Sequence, residues 1–95
     1  MKLLEVKPSK VAGKKWTAVF DNNGRTKSVS FGAAGMDDYT ITKNKEQRDR
    51  YRTRHSKDLQ TKDPTRAGYL SYYLLWGDST SLAENIKHYK RQFNL

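Results

Sequence analysis

The chain contains no cysteine, which removes disulfides, thiolate nucleophiles and sulfur-ligated metals from consideration. Imidazole is nearly as scarce. His55 and His88 are the only histidines, so no dense metal site and no metal cofactor is expected. No apolar run approaches the ~20 residues that a bilayer-spanning helix needs. The start, Met1-Lys2-Leu3-Leu4-Glu5-Val6-Lys7-Pro8, lacks the apolar stretch of a signal peptide, and no membrane role is expected. There are two prolines and six glycines, few enough for each to be read as a local breakpoint. Carboxylates are the remaining shortage: 10 Asp and Glu stand against 19 Lys and Arg, a net charge of +9.

What is present belongs to one small domain. Ninety-five residues bury only about 60–65% of the surface that the unfolded chain exposes, so residues 1–95 are read as a single domain with a small core. Hydrophobic residues make up 35% and charged residues 31%, with a mean hydropathy of −1.00. The 12% of aromatics argues against disorder despite that polarity.

The positive charge is unevenly spread. Residues 1–32 carry +5, residues 33–42 carry −2 from Asp37 and Asp38, residues 43–57 carry +5, and residues 58–95 carry +1. Two basic blocks thus flank a short acidic turn. A local surplus of this kind is the footprint expected of phosphate contact. Solubility alone accounts for net charges of ~2–8 in small domains.

Periodicity gives a coarse architecture. In Lys15–Phe20, Trp16, Ala18 and Phe20 alternate with Thr17 and Val19, which predicts a strand. Asn22-Asn23-Gly24 follows, a hairpin turn that admits positive φ. Thr26–Phe31 is the expected return strand, with Val29 and Phe31 on one face and Ser28 and Ser30 on the other. Leu3–Lys7 is a candidate third strand ending at Pro8, and Tyr39-Thr40-Ile41-Thr42, aromatic and β-branched, a candidate fourth. From Lys45 to His55 there is no Gly, Pro, Val or Ile, and Asn44 stands ready as a cap: a helix with Tyr51 facing inward. Ser56–Lys62 is polar and expected to be a loop. Asp63-Pro64 has the composition of a helix start, and Pro64–Trp76, apolar on most sides and stopped by Gly77, is the expected central buried helix. The Ser81-x-x-Glu84 pair suits a capping box, after which Leu82, Ile86, Tyr89 and Phe93 share one helical face. The expected fold class is α+β: an N-terminal antiparallel sheet of three or four strands, then three helices packing on it. The expected core is Trp16, Phe20, Phe31, Leu70, Leu74, Ile86 and Phe93.

Each chemical motif has a plainer alternative. Arg48, Arg50, Arg52 and Arg54 form a basic helix whose guanidinium forks match phosphate oxygens. The same residues would also make a solvated helix with pairs such as Glu46–Arg50. Gly32-Ala33-Ala34-Gly35 has no side chain beyond methyl and would admit a phosphate closely, yet no Gly-Lys-Ser/Thr follows, and a chain-reversing turn explains it equally. Asp37 and Asp38 suit turn capping better than a shared cation. The aromatics Tyr69, Tyr72, Tyr73, Trp76, Tyr89 and Phe93 suit a core or a dimer interface more than base stacking. No catalytic nucleophile sits in a recognisable setting.

Taken together, Lys15-Trp16-Thr17-Ala18-Val19-Phe20, the run Gly24 to Gly35 and Asp38-Tyr39-Thr40 resemble a family of small, uncharacterised basic proteins encoded by large double-stranded DNA viruses. Arg48-Asp49-Arg50-Tyr51, Arg54-His55, Asp63-Pro64-Thr65, Leu74-Leu75-Trp76 and the end from Tyr89 to Leu95 fit the same pattern, which spans about Lys7 to Leu95. Met36 and Ser30 depart from it, standing where an aromatic and a histidine are usual. The resemblance implies a virus-encoded protein without assigned enzymatic activity, carried in the virion and acting in the host cytoplasm or nucleus. The residues themselves point to a non-enzymatic nucleic-acid-binding protein, with DNA favoured over RNA. Lys14, Lys15, Arg25 and Lys27 on the hairpin and Arg48, Arg50, Arg52 and Arg54 on the helix are the expected phosphate contacts. The alternative is a structural or interaction protein meeting an acidic protein partner, and under both readings a symmetric homodimer held by aromatics of the last two helices is expected. No cofactor is expected in either case.

Overall fold

A computed structural model describes residues 1–95. Three strands, β1 (Lys2–Pro8), β2 (Lys14–Asn22) and β3 (Arg25–Ala33), form an antiparallel sheet in the order β1-β2-β3. Two short segments follow, α1 (Tyr39–Thr42) and α2 (Lys45–His55). A 3-10 helix over Ser56–Thr61 leads to α3 (Ala67–Leu70), which continues as a π-helix through Ser71–Leu75. The last element is α4 (Leu82–Gln92). The α+β class is as the sequence pattern requires.

The β2–β3 hairpin closes at Asn23 and Gly24, whose φ values of 53° and 87° match the twist of the strands it joins. Asp21 braces the turn by accepting the Gly24 N–H at 2.9 Å. Register places Trp16 opposite Phe31, Ala18 opposite Val29 and Phe20 opposite Lys27, so one face is apolar. Leu3 and Val6 of β1 join that face opposite Phe20 and Ala18. Leu70, Leu74, Leu75, Trp76, Tyr69 and Tyr89 close over it, with Tyr39 at one side.

Four expectations need correction. Tyr39–Thr42 is a helical turn, not a fourth strand. The Asp38 carboxylate accepts the Thr40 N–H at 2.9 Å as an N-cap, and this local bond outweighs β-branched propensity. Ser56–Lys62 is not a loop but largely a 3-10 helix. The helix expected from Pro64 begins at Ala67, because Asp63 instead accepts both the Thr65 N–H (2.9 Å) and hydroxyl (2.6 Å) and so closes a turn. Finally, Trp16, Ile86 and Phe93 are only half-buried, whereas Phe20, Phe31, Leu70 and Leu74 are fully inside. In α4 the deepest positions are Asn85 and Tyr89, because the helix turns toward the Gly77–Ser79 corner that Asn85 binds.

The π-helix ends where two remote side chains satisfy its last carbonyls. Asn85 Nδ2 donates to Leu74 O at 3.0 Å, and Arg52 Nε donates to Trp76 O at 2.7 Å. Both carbonyls would otherwise be helix-terminal orphans. Arg52 thereby ties α2 to this corner.

Candidate nucleic-acid interface

The eight cations expected to meet phosphate fall into three groups. Lys15 is turned inward: its Nζ donates to Asp38 Oδ2 at 2.6 Å, and Asp38 is buried. Arg48 and Arg52, four residues apart, occupy one side of α2. Arg48 pairs with Asp49 at 3.1 Å and covers the Tyr39 ring at 4.9 Å. Arg52 holds Trp76 O and Asp78 and lies 5.9 Å from the Tyr72 ring centroid. These three are committed to internal partners. Arg50 and Arg54, also four apart, project from α2 into solvent without a carboxylate partner. Lys14 and Arg25 are likewise exposed and unpaired, and Lys27 reaches Thr65 Oγ1 at 3.1 Å.

The hairpin separates the last group. Lys14 stands opposite Ala33 at one end of the β2–β3 ladder, and Asn22 opposite Arg25 at the other. Eight residues at ~3.3 Å each place Arg25 about 26 Å from Lys14 along the strands. Lys14 therefore shares an end with the Gly32–Asp38 turn, and Arg25 belongs to the opposite tip.

Between that turn and α2 lies a cleft of about 770 Å³. One wall is formed by Gly32, Ala33 and Gly35 of the small-residue turn. Gly32 has φ +79°, and a Cβ there would lie 2.8 Å from Leu75 Cδ1, so both backbone and packing demand glycine. The facing wall carries Tyr51, Arg54, His55 and Lys57. Tyr51 stacks between two rings: Trp76 at 4.4 Å and 9°, His55 at 4.1 Å and 22°. Burial pushes the Tyr51 phenol above its ordinary range, the Asp58 carboxylate pushes the same way, and Ser71 opposes them. Asp58 Oδ2 lies 3.1 Å from His55 Nδ1. The floor is the Lys15–Asp38 pair, whose charges cancel each other.

Residues 4–55 match a family of unknown function, DUF5754. The chain belongs to that family. The matched segment contains β1 from Leu4 onward, β2, β3, the glycine turn, α1 and all of α2; Lys57, Ser71, Leu75 and Trp76 of the cleft lie beyond it. No curated protein and no solved structure matches the chain.

Several cleft residues were absent from the sequence-based set. Lys57 stands three residues after Arg54, and Tyr51, His55 and the His55 partner Asp58 have the i, i+4 and i, i+3 spacings that bring side chains together. Those spacings were visible. The arrival of Trp76 from a distant helix was not.

Proposed function

We propose that the chain is a non-enzymatic nucleic-acid-binding protein that holds DNA, in preference to RNA, by contacting phosphate. The observation that carries this reading is the number of unpaired cations. Five of the 19 lysines and arginines face a carboxylate within 4.0 Å, which leaves 14 without one. Lys14, Arg25, Lys27, Arg50 and Arg54 are the members of the expected set that remain available, and Lys57 joins them at the cleft. Such a surface binds polyanions by counterion release and does so largely without regard to sequence. In the setting that the resemblance to viral proteins implies, a virion or the host cytoplasm or nucleus, the ligand is viral or host DNA.

Fluorescence anisotropy over a series of salt concentrations tests the proposal. Each phosphate contact contributes about −0.9 to the logarithmic salt slope, so the Arg50→Ala/Arg54→Ala variant should flatten it by about 1.8. The Lys87→Ala/Lys90→Ala variant should change it much less. Absence of binding at low salt refutes the proposal and transfers support to an acidic protein partner, for which Met36 and Ile41 (64% and 58% exposed) would be apolar anchors.

A further inference from the structure

The aromatic and cationic walls of the cleft meet at His55. Trp76 is the inner end of the three-ring stack, 7% exposed, and His55 is the outer end, with a side chain 40% exposed. The contact between Asp58 and Nδ1 holds the imidazole plane in place. Arg54 precedes His55, Lys57 lies two residues after it, and both are exposed without a carboxylate partner. Three carboxylates stand at or beside the cleft: Asp38 is neutralised by Lys15, Asp58 is engaged by His55, and Asp37 is exposed.

Two backbone features shape the same space. The Gly32–Gly35 wall carries nothing larger than methyl, and a Cβ on Gly35 would meet nothing within 4 Å. The wall is therefore open to close approach. Across from it, the π-helix bonds Trp76 N–H to Ser71 O at 3.1 Å. This i to i+5 turn sets Ser71 and Trp76 one above the other, and both line the cleft.

We propose that this cleft takes a nucleoside monophosphate unit, its base stacked on His55 and its phosphate held by Arg54 and Lys57. The inference rests on the nucleic-acid reading above and narrows it to a strand end. A volume of about 770 Å³ falls in the ~300–1,000 Å³ range of small-ligand sites. A phosphomonoester carries about −1.5 to −2 at neutral pH, matching two cations, whereas each internal phosphodiester carries one negative charge. A terminal base is also free to leave its stack and lie on an aromatic face, as an internal duplex base is not. A free mononucleotide offers the same chemistry, and the test separates the two sources.

The full chain is titrated at one low ionic strength with deoxyadenosine, deoxyadenosine monophosphate, and a short single-stranded oligonucleotide bearing a 5′-phosphate or a 5′-hydroxyl. The phosphorylated strand should bind about tenfold or more tighter than the hydroxyl strand, and the monophosphate likewise tighter than the nucleoside. Arg54→Gln with Lys57→Gln should abolish both differences, and Arg25→Gln should leave them intact. His55→Ala should weaken the phosphorylated strand about tenfold, and His55→Phe, which keeps a flat ring, should restore it. Equal binding of the two strands, or equal losses in the Arg25 and Arg54/Lys57 variants, overturns the cleft proposal; salt-dependent strand binding would still stand. Monophosphate binding without strand binding upholds the cleft and refutes the broader nucleic-acid reading. If neither the monophosphate nor any strand binds, both are refuted.

Discussion

Asn85 organises one corner of the molecule through a single amide. Its side chain donates to Leu74 O at 3.0 Å and Ser79 O at 2.8 Å and accepts from Ser79 N at 3.0 Å, in a residue only 2% exposed. Asn85→Ala should cost about 2–4 kcal/mol in urea unfolding, since each bond is worth about 1 kcal/mol and a buried carbonyl is left unpaired. Gly77 sits beside it, where a Cβ would lie 2.2 Å from Tyr73 O; no L side chain fits without moving backbone. Burial acts on two tyrosines of the same core. It raises the Tyr89 phenol well above its ordinary range, with Tyr69 and Tyr73 adding to the effect, and it raises Tyr51. The sign of the consequence follows from proton counting. Above about pH 10 the unfolded phenols lose protons that the folded ones keep, so stability is fully present below that pH and falls as pH rises. An absorbance titration should show the Tyr89 phenol ionising only with unfolding and the Tyr51 phenol ionising later than an exposed tyrosine, and Tyr51→Phe and Tyr89→Phe should each reduce that delayed component.

At the scale of an element, α2 divides its arginines between two tasks. Helical spacing puts Arg48 and Arg52 on a side that meets Tyr39, Tyr72 and Trp76, and puts Arg50 and Arg54 on a side that meets solvent. Arg52→Ala should therefore destabilise the fold by about 1–3 kcal/mol, because Trp76 O loses a charge-assisted donor. Arg54→Ala should stay within about 0.5 kcal/mol of the parent while weakening DNA binding. Thermal melts and anisotropy on the same samples distinguish these effects. The hydrogen bond from Arg52 also holds the Asp78 carboxyl below its ordinary range. Its stabilisation is present above about pH 4 and is lost as pH falls through the lowered value. Arg52→Ala should flatten that acid limb, modestly, because the Asp78 side chain is 80% exposed.

Across the whole molecule, some of the exposed cations mark two poles. Lys14, Arg54 and Lys57 lie toward the cleft end and Arg25 toward the hairpin tip, in a body 40 Å long. Strand geometry separates Lys14 from Arg25 by about 26 Å, which corresponds to about eight base pairs at ~3.4 Å each. A duplex of about five pairs should reach only one pole, so its salt slope should be shallower than that of a duplex of about twelve, and Arg25→Gln should affect only the longer one. The aromatics that motivate a homodimer are used within the chain: Tyr73 and Tyr89 both contact Phe93, and Tyr69 does so edge-on. The large apolar side chains left exposed are Met1, Leu4, Val11, Met36 and Ile41, none of them on the last two helices.

Alternation in Lys15–Phe20 and Thr26–Phe31, the Asn-Gly turn and the caps at Asn44 and Ser81 were enough to determine the sheet, α2 and α4, because those signals act over a few residues. The burial of Phe20 and Phe31 followed from the same alternation, and that of Leu70 and Leu74 from a segment apolar on most sides. Long-range bonding decided the rest. Asp38, expected as a turn cap, became also the partner of Lys15 because the chain brings it 2.6 Å from that ammonium. Arg48 and Arg52 were indistinguishable in sequence from Arg50 and Arg54 until Tyr39, Trp76 and Asp78 claimed them. The Trp76–Tyr51–His55 stack and the cleft beneath it join residues from separate elements, and no local pattern records which distant side chain will arrive to complete a site.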